Sequence, residues 1–303
     1  MIINNKTNGE IGEQLFLQKK DRAFMNRKTF LKTSGALLTS TLFNKVSAKE
    51  SFESNKGSKV SVPNELNFPI MDLHVHRSDK LTINDIVAKS KELNMTIGVM
   101  ENIAPWGIKT DVQLKEYINT IKPYPVYIGL QPMSPGWSKN FSPDLIAQAD
   151  YIAMDPQIVE NGNSYGETIK LWEYNAYIDD SEVFMNRNMQ HYMDILTGED
   201  PLDILACPLF LPCCLQREYN TLWTKKRLQQ IIDAAKARNI AIEINDIVHV
   251  PHEKFIRMAK HAGLKFTFGS DSRNHYVGRL DYCKRIAKQC ELTEKDFFVP
   301  AKK

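Results

Sequence analysis

The sequence predicts a parallel α/β barrel, and three observations carry the prediction. First, seven short β-rich apolar runs, at 70–75, 96–100, 126–130, 151–154, 203–206, 241–244 and 265–268, alternate with segments of helical period. Continuous apolar strands separated by amphipathic helices imply a parallel sheet covered by helices, and seven such units in roughly 240 residues fit one closed barrel better than two domains. Second, a polar group stands at or just past every strand end: His74 and His76, Glu101, Gln131, Asp155, Cys207, Glu243 with Asn245, and Asp271. The carboxyl ends of parallel barrel strands share one face, so these scattered groups are expected to converge. Third, the first strand closes on Asp72-Leu73-His74-Val75-His76 and the last on Gly269-Ser270-Asp271. Two histidines two apart on a strand share a face, and a distant carboxylate completes a ligand set for a divalent cation.

In chain order, the strand at 70–75 leads to a helical segment at 83–93, 96–100 to 111–121, and 126–130 to 143–148. The fourth strand, 151–154, reaches its helix at 183–196 only after an unusually long connection containing Asn161, Tyr165, Trp172, Tyr174 and Tyr177. Such a connection either packs on the barrel for stability or lies over its mouth, where aromatic and amide groups suit stacking on a sugar or other ring. The remaining pairs are 203–206 with 224–237, 241–244 with 252–261, and 265–268 with 279–289, each helix showing an apolar stripe at 3.6-residue spacing.

Residues 1–48 have the order of an export signal: Arg27 and Lys28 in a charged region, a mildly apolar run at 33–43, and Val46-Ser47-Ala48 as a cleavage site. It looks like a twin-arginine signal with Lys28 in place of the second arginine. Residues 49–66 read as a flexible polar linker and 67–303 as the barrel domain. The protein is therefore expected to be exported, to the periplasm or the extracellular space.

The leader holds eight Lys or Arg and three Asp or Glu, so the formal net charge of +3 becomes −2 once it is removed. The basic balance belongs to the leader, and nothing in the remainder suggests a nucleic-acid surface. No run approaches the roughly 18 apolar residues that span a bilayer, so no stable membrane insertion is expected after signal removal. The five cysteines are odd in number and lack paired C-x-x-C spacing, which argues against a disulfide framework or a structural zinc site. Cys283 and Cys290, seven apart on one helix, read as core packing.

Three phrases give the chain a family likeness: Asp72-Leu73-His74-Val75-His76, Ala241-Ile242-Glu243-Ile244-Asn245, and Ala262-Gly263-Leu264-Lys265-Phe266-Thr267-Phe268-Gly269-Ser270-Asp271. In these it resembles the PHP superfamily, named for polymerase and histidinol phosphatase domains. The resemblance implies a distorted (β/α)7 TIM-like barrel with up to three metal ions. It also implies that His74, His76 and Asp271 are metal ligands. Elsewhere the family pattern is incomplete: Glu101-Asn102 stands in place of Asp-His, Gln131 in place of a bridging glutamate, Asp155 and Cys207 in place of histidines, and Arg273 in place of the last histidine.

These departures predict about one divalent ion per chain, zinc, manganese or iron, held by His74, His76 and Asp271. Asp155 or Glu101 adds an oxygen or takes a proton, and Arg273 faces an anionic small-molecule substrate through its planar fork. Gln131, Cys207 and Glu243 are further candidates at the site, Glu243 as a group that orients a ligand. The expected activity is metal-dependent hydrolysis of a phosphate ester. Two alternatives are a non-catalytic solute- or glycan-binding barrel and an amidohydrolase-like site acting on amides or lactones.

Overall fold

The computed structural model describes residues 66–303. The predicted signal, 1–48, and the linker up to residue 65 lie outside the described residues, while Leu66 is buried. Nine strands are described: β1 (Met71–Val75), β2 (Thr96–Ile103), β3 (Tyr127–Pro132), β4 (Tyr151–Met154), β5 (Ile158–Val159), β6 (Ile169–Lys170), β7 (Ile204–Leu205), β8 (Ala241–Asn245) and β9 (Phe266–Gly269). The helices between them are α1 (Ile83–Leu93), α2 (Asp111–Ile121), α3 (Pro143–Ile146), α4 (Ser181–Thr197), α5 (Tyr219–Leu222), α6 (Lys225–Ala237), α7 (Glu253–Ala262) and α8 (Asp281–Gln289). All seven predicted strands and all seven predicted helices are present. The long connection after β4 adds a small antiparallel pair, β5 with β6.

Seven strands form one sheet in the order β1-β2-β3-β4-β7-β8-β9, with every paired neighbour parallel. The sheet is nearly closed: Val75 bridges Ser272 just past β9, and the His76 amide donates to the Ser272 carbonyl at 2.9 Å. Further down, the carboxylate of Asp72 substitutes for the missing ladder by accepting from the amides of Ser270 (2.9 Å) and Gly278 (3.0 Å). At the base, Phe297 bridges β9 through Phe266, and Phe298 donates its amide to the Phe266 carbonyl. This is a distorted (β/α)7 barrel, as the sequence predicts.

Local chemistry explains the helix boundaries. Thr82 and Asp85 form a reciprocal capping box at the start of α1, Thr110 and Thr224 cap α2 and α6, and α7 stops at Gly263, whose φ of 84° favours glycine. The outward residues of the strands, such as Ile97, Val99, Ile128, Ile242 and Phe268, pack with Ile86, Leu114, Ile231 and Phe255 of the helices. A second cluster fills the barrel itself: Leu73, Met100, Tyr151, Ala153, Ile204, Ala206 and Ala241. Tyr151 crosses this interior and donates to the Leu73 carbonyl at 2.6 Å. Its ring lies where a side chain at Gly98 or Gly129 would project, so those two positions must be bare. The result is a solid floor under the barrel mouth.

Candidate metal centre

Strand β1 does not keep regular alternation. Its register against β2 runs Met71 to Thr96, Asp72 to Ile97, then Val75 to Val99, so three steps of β1 oppose two of β2. The bulge lets Leu73 fill the barrel floor while His74 and His76 both face the mouth, a re-aiming that regular alternation forbids. Both imidazoles are almost wholly buried.

Three atoms converge there. His74 Nε2 lies 3.2 Å from His76 Nε2 and 3.3 Å from Asp271 Oδ1, and His76 Nε2 lies 3.9 Å from the same oxygen. A tetrahedral zinc ion with arms of about 2.0 Å has ligand separations of about 3.3 Å, so two of the three edges match and the third is somewhat long. Asp271 holds its place with a φ of 48°, the left-handed region. His74 Nδ1 is 2.6 Å from Glu243 Oε1. A carboxylate only accepts, so Nδ1 carries a proton, and the neutral ring would have its Nε2 lone pair free for an ion shared with the other two ligands.

Glu243 is itself fixed from the other side. Its Oε2 accepts from the Cys207 amide at 2.5 Å and from Asn245 Nδ2 at 3.4 Å, and Asn245 also donates to the Cys207 sulfur at 3.2 Å. His74, Cys207 and Glu243 thereby make a second close cluster that shares His74 with the first. A methyl group at Gly269 would overlap the Glu243 carboxylate and stand 2.7 Å from His74 Cβ. The glycine beside Ser270-Asp271 is therefore what lets carboxylate and imidazole meet.

On the β2–β4 side the site is lined by amides. Asn102 Nδ2 donates to Gln131 Oε1 at 2.8 Å, and Gln131 Nε2 stands 3.2 Å from both Asp155 Oδ2 and His74 Nε2. The donor from Asn102 and the acceptor on Asp155 fix which end of the Gln131 amide is which. Gln157 completes the row, donating from its amide nitrogen to Asp155 Oδ1 at 2.9 Å and from its side chain to Oδ2 at 3.3 Å. Asn102 and Gln157 are site residues absent from the sequence-based candidates. Asn102 is signalled by its standing where the resembling family has the histidine of Asp-His, and Gln157 by nothing in the sequence.

The predicted residues thus fall into two groups. His74, His76, Asp271, Gln131, Asp155, Cys207 and Glu243 are brought together. Glu101 is not: strand β2 continues to Ile103, which makes Glu101 an outward position and Asn102 the inward one. Its carboxyl lines a cavity of about 290 Å³ with Arg77, Gln113, Glu116 and Tyr117. Arg273 reaches Asp271 Oδ1 at 2.5 Å, and about half of its side chain is exposed. It lines a cavity of about 550 Å³ beside Asp271, together with Asp246, His249, Tyr276 and Arg279.

The charges of the cluster call for a cation. Burial opposes a charge on His74, yet the carboxylates of Asp271 and Glu243 outweigh it and lift the imidazole to about 9. His76 is driven well below its ordinary value, by burial first and then by the positive charge at His74 and Arg273. Burial works to raise Asp271 too, but His74, Arg273 and His76 together hold it below the usual range. Asp155 is pushed up to about 7, mainly by burial. In the bare cluster a proton at His74 supplies the positive charge that the carboxylates require. Two imidazoles with such a carboxylate are the donor set of a zinc-like cation, so the residues fit a metal ion.

No protein-family model matches the sequence, and no curated protein matches it. Among solved structures, the chain is similar to the histidinol phosphate phosphatase of Lactococcus lactis subsp. lactis Il1403, solved in complex with zinc, L-histidinol and phosphate. The identity is 15%, the TM-score 0.52, and the match covers 73% of this chain and 93% of that one. A second similar structure is a candidate histidinol phosphatase from Listeria monocytogenes, at 14% identity and a TM-score of 0.48, covering 69% of this chain and 97% of that one. The Lactococcus likeness shows a shared fold, the TIM-like α/β barrel described above.

Proposed function

We propose that this chain, a seven-stranded barrel of the PHP type, is a hydrolase of phosphate esters that holds one divalent ion on His74, His76 and Asp271. The observation that carries the reading is the convergence of those three ligand atoms at the barrel mouth, with Glu243 fixing the tautomer of His74 behind them. An ion bound there supplies a Lewis acid, which polarises oxygen and eases loss of a proton from water. The chain's own residues supply the rest. Asp155, buried and pushed up to about 7 by burial in the bare cluster, is the carboxyl placed beside Gln131 to take or give a proton. Arg273, half exposed beside Asp271, meets the anionic oxygens of the ester. Asn102 and Gln131 are neutral, so they offer weak support to further cations, and a single ion is the expected load.

The fold's similarity to a phosphatase solved with zinc and phosphate makes zinc and phosphate monoesters the first probes. Elemental analysis after mild dialysis should find about one ion per chain. His76→Ala should lose metal and activity together. Arg273→Ala should keep the metal and lose about 3 kcal/mol of transition-state stabilisation, roughly a hundredfold in rate. A folded, metal-loaded protein that hydrolyses no phosphate mono- or diester would refute the proposal, and turnover of lactones or amides instead would move it to amidohydrolase chemistry. The same proposal places the mature protein outside the cytoplasm, on the strength of the signal-like order in residues 1–48.

A further inference from the structure

Two of the four tryptophans are buried at the core, Trp137 and Trp223, while Trp106 and Trp172 are 40% and 45% exposed. The exposed pair meets edge to face, with ring centroids 5.8 Å apart, and Lys170 Nζ sits 5.1 Å from the centre of the Trp106 ring. Their place in the fold is specific. Trp106 tips the tight turn after β2, which the Ile108 amide closes onto the Asn102 carbonyl at 2.8 Å. Trp172 follows Leu171, whose amide donates to the Gln157 carbonyl at 2.9 Å. Both rings are therefore carried at the barrel mouth by the two loops that also position Asn102 and Asp155.

We infer that Trp106 and Trp172 form a platform for a sugar ring, the portion of the ester that leaves the site. The assignment of the ring as a leaving group rests on the phosphoesterase reading. The loops that carry the rings are tied to the backbone of Asn102 and Gln157, which with Gln131 form a row of three neutral amides next to His74 that both donate to and accept from hydroxyl groups. Aromatic faces beside such amides suit the polarised C–H face of a pyranose and its hydroxyls together. Two-fifths or more of each indole is open to solvent, and that open surface is what a ligand would meet.

The test is tryptophan fluorescence of the full chain titrated with methyl β-glucoside, methyl β-galactoside and N-acetylglucosamine, with glycerol and phenol as controls for hydroxyls alone and an arene alone. At least one sugar should give a saturable change, absent with glycerol, and Trp106→Ala and Trp172→Ala should each weaken it about tenfold while retaining the wild-type circular dichroism. For that sugar's phosphate, the ratio of kcat/KM to that of glycerol phosphate should fall by a similar factor in both variants. No saturable change with any of the three sugars, retention of sugar affinity in both variants, or a response to phenol alone overturns the platform. Sugar binding is read without turnover. A protein that binds sugar but hydrolyses no phosphate ester sinks only the hydrolase reading, and one that hydrolyses esters but binds no sugar sinks only this one.

Discussion

Glu243→Gln puts the design of the centre to its sharpest test, because the two oxygens of Glu243 do different work. One accepts from His74 Nδ1 at 2.6 Å and the other from the Cys207 amide at 2.5 Å. Both partners are donors, and glutamine has a single acceptor. If its oxygen keeps His74, its NH2 faces the Cys207 N–H; if it keeps Cys207, its NH2 faces Nδ1 and drives the proton of His74 onto Nε2, the ligand atom. The first arrangement leaves the buried Cys207 N–H without an acceptor, which costs about 1–3 kcal/mol of stability, and the second blocks the ligand atom with a proton. Loss of such an orienting carboxylate typically weakens a metal site by roughly 10- to 100-fold, about 1.4–2.7 kcal/mol. Zinc affinity would be measured by competition with a chromophoric chelator and stability by urea unfolding of the metal-free protein. If Glu243→Gln binds zinc as tightly as wild type, while His76→Ala does not bind it, the assigned tautomer and the role of Glu243 are both wrong.

Other expectations follow from particular residues. His191 is held at about 4 by burial, and its Nε2 is buried without a hydrogen-bond partner, so the unfolded chain takes up its proton first as pH falls. The stability tied to neutral His191 is present above about pH 6.5 and lost toward pH 4, up to about 3 kcal/mol. The urea midpoint of wild type should fall relative to that of His191→Phe over that interval, and parallel curves would remove the assignment. Gly269→Ala forces a methyl group into the Glu243 carboxylate and should cost about 1–3 kcal/mol together with the metal site, read as a lower melting temperature and lost zinc uptake. Protein recovered from its own host should begin near Lys49, and Edman sequencing that returns an intact start at Met1 or Met25 would end the export proposal.

How far the sequence reaches is clear from single residues. His74, His76 and Asp271 could be read in advance because strand ends in a parallel barrel share one face, whatever the details of packing. Glu101 could not be placed, since its direction depends on where β2 stops. The strand runs three residues beyond its apolar run, and parity then exchanges Glu101 for Asn102. The bulge at Leu73-His74 was equally hidden, because it is a relation between two strands and leaves no mark in either one. Asp72 reads from sequence as part of a ligand motif, yet its work is to tie β1 to the segment after β9. Cys283 and Cys290 were legible as core, and both are buried. The amide row Asn102, Gln131 and Gln157 emerges only when the ends of β2 and β3 and the segment after β4 are brought together in space.

The near-closure between β1 and β9 has a mechanical meaning. Elsewhere around the barrel, neighbouring strands are laced by ladders, whereas here the lacing is one bridge at Val75, the two amides held by Asp72, and the hydroxyl of Ser78 on the Arg273 carbonyl at 2.6 Å. The ligand atoms straddle this seam, His74 and His76 on one lip and Asp271 on the other, nearly two hundred residues apart in sequence. A cation gripping both lips would act as a rivet, closing the longest loop in the barrel at its weakest joint. Catalytic centre and structural clasp would then be the same three side chains, and a cell short of metal would loosen this seam as well as lose the chemistry.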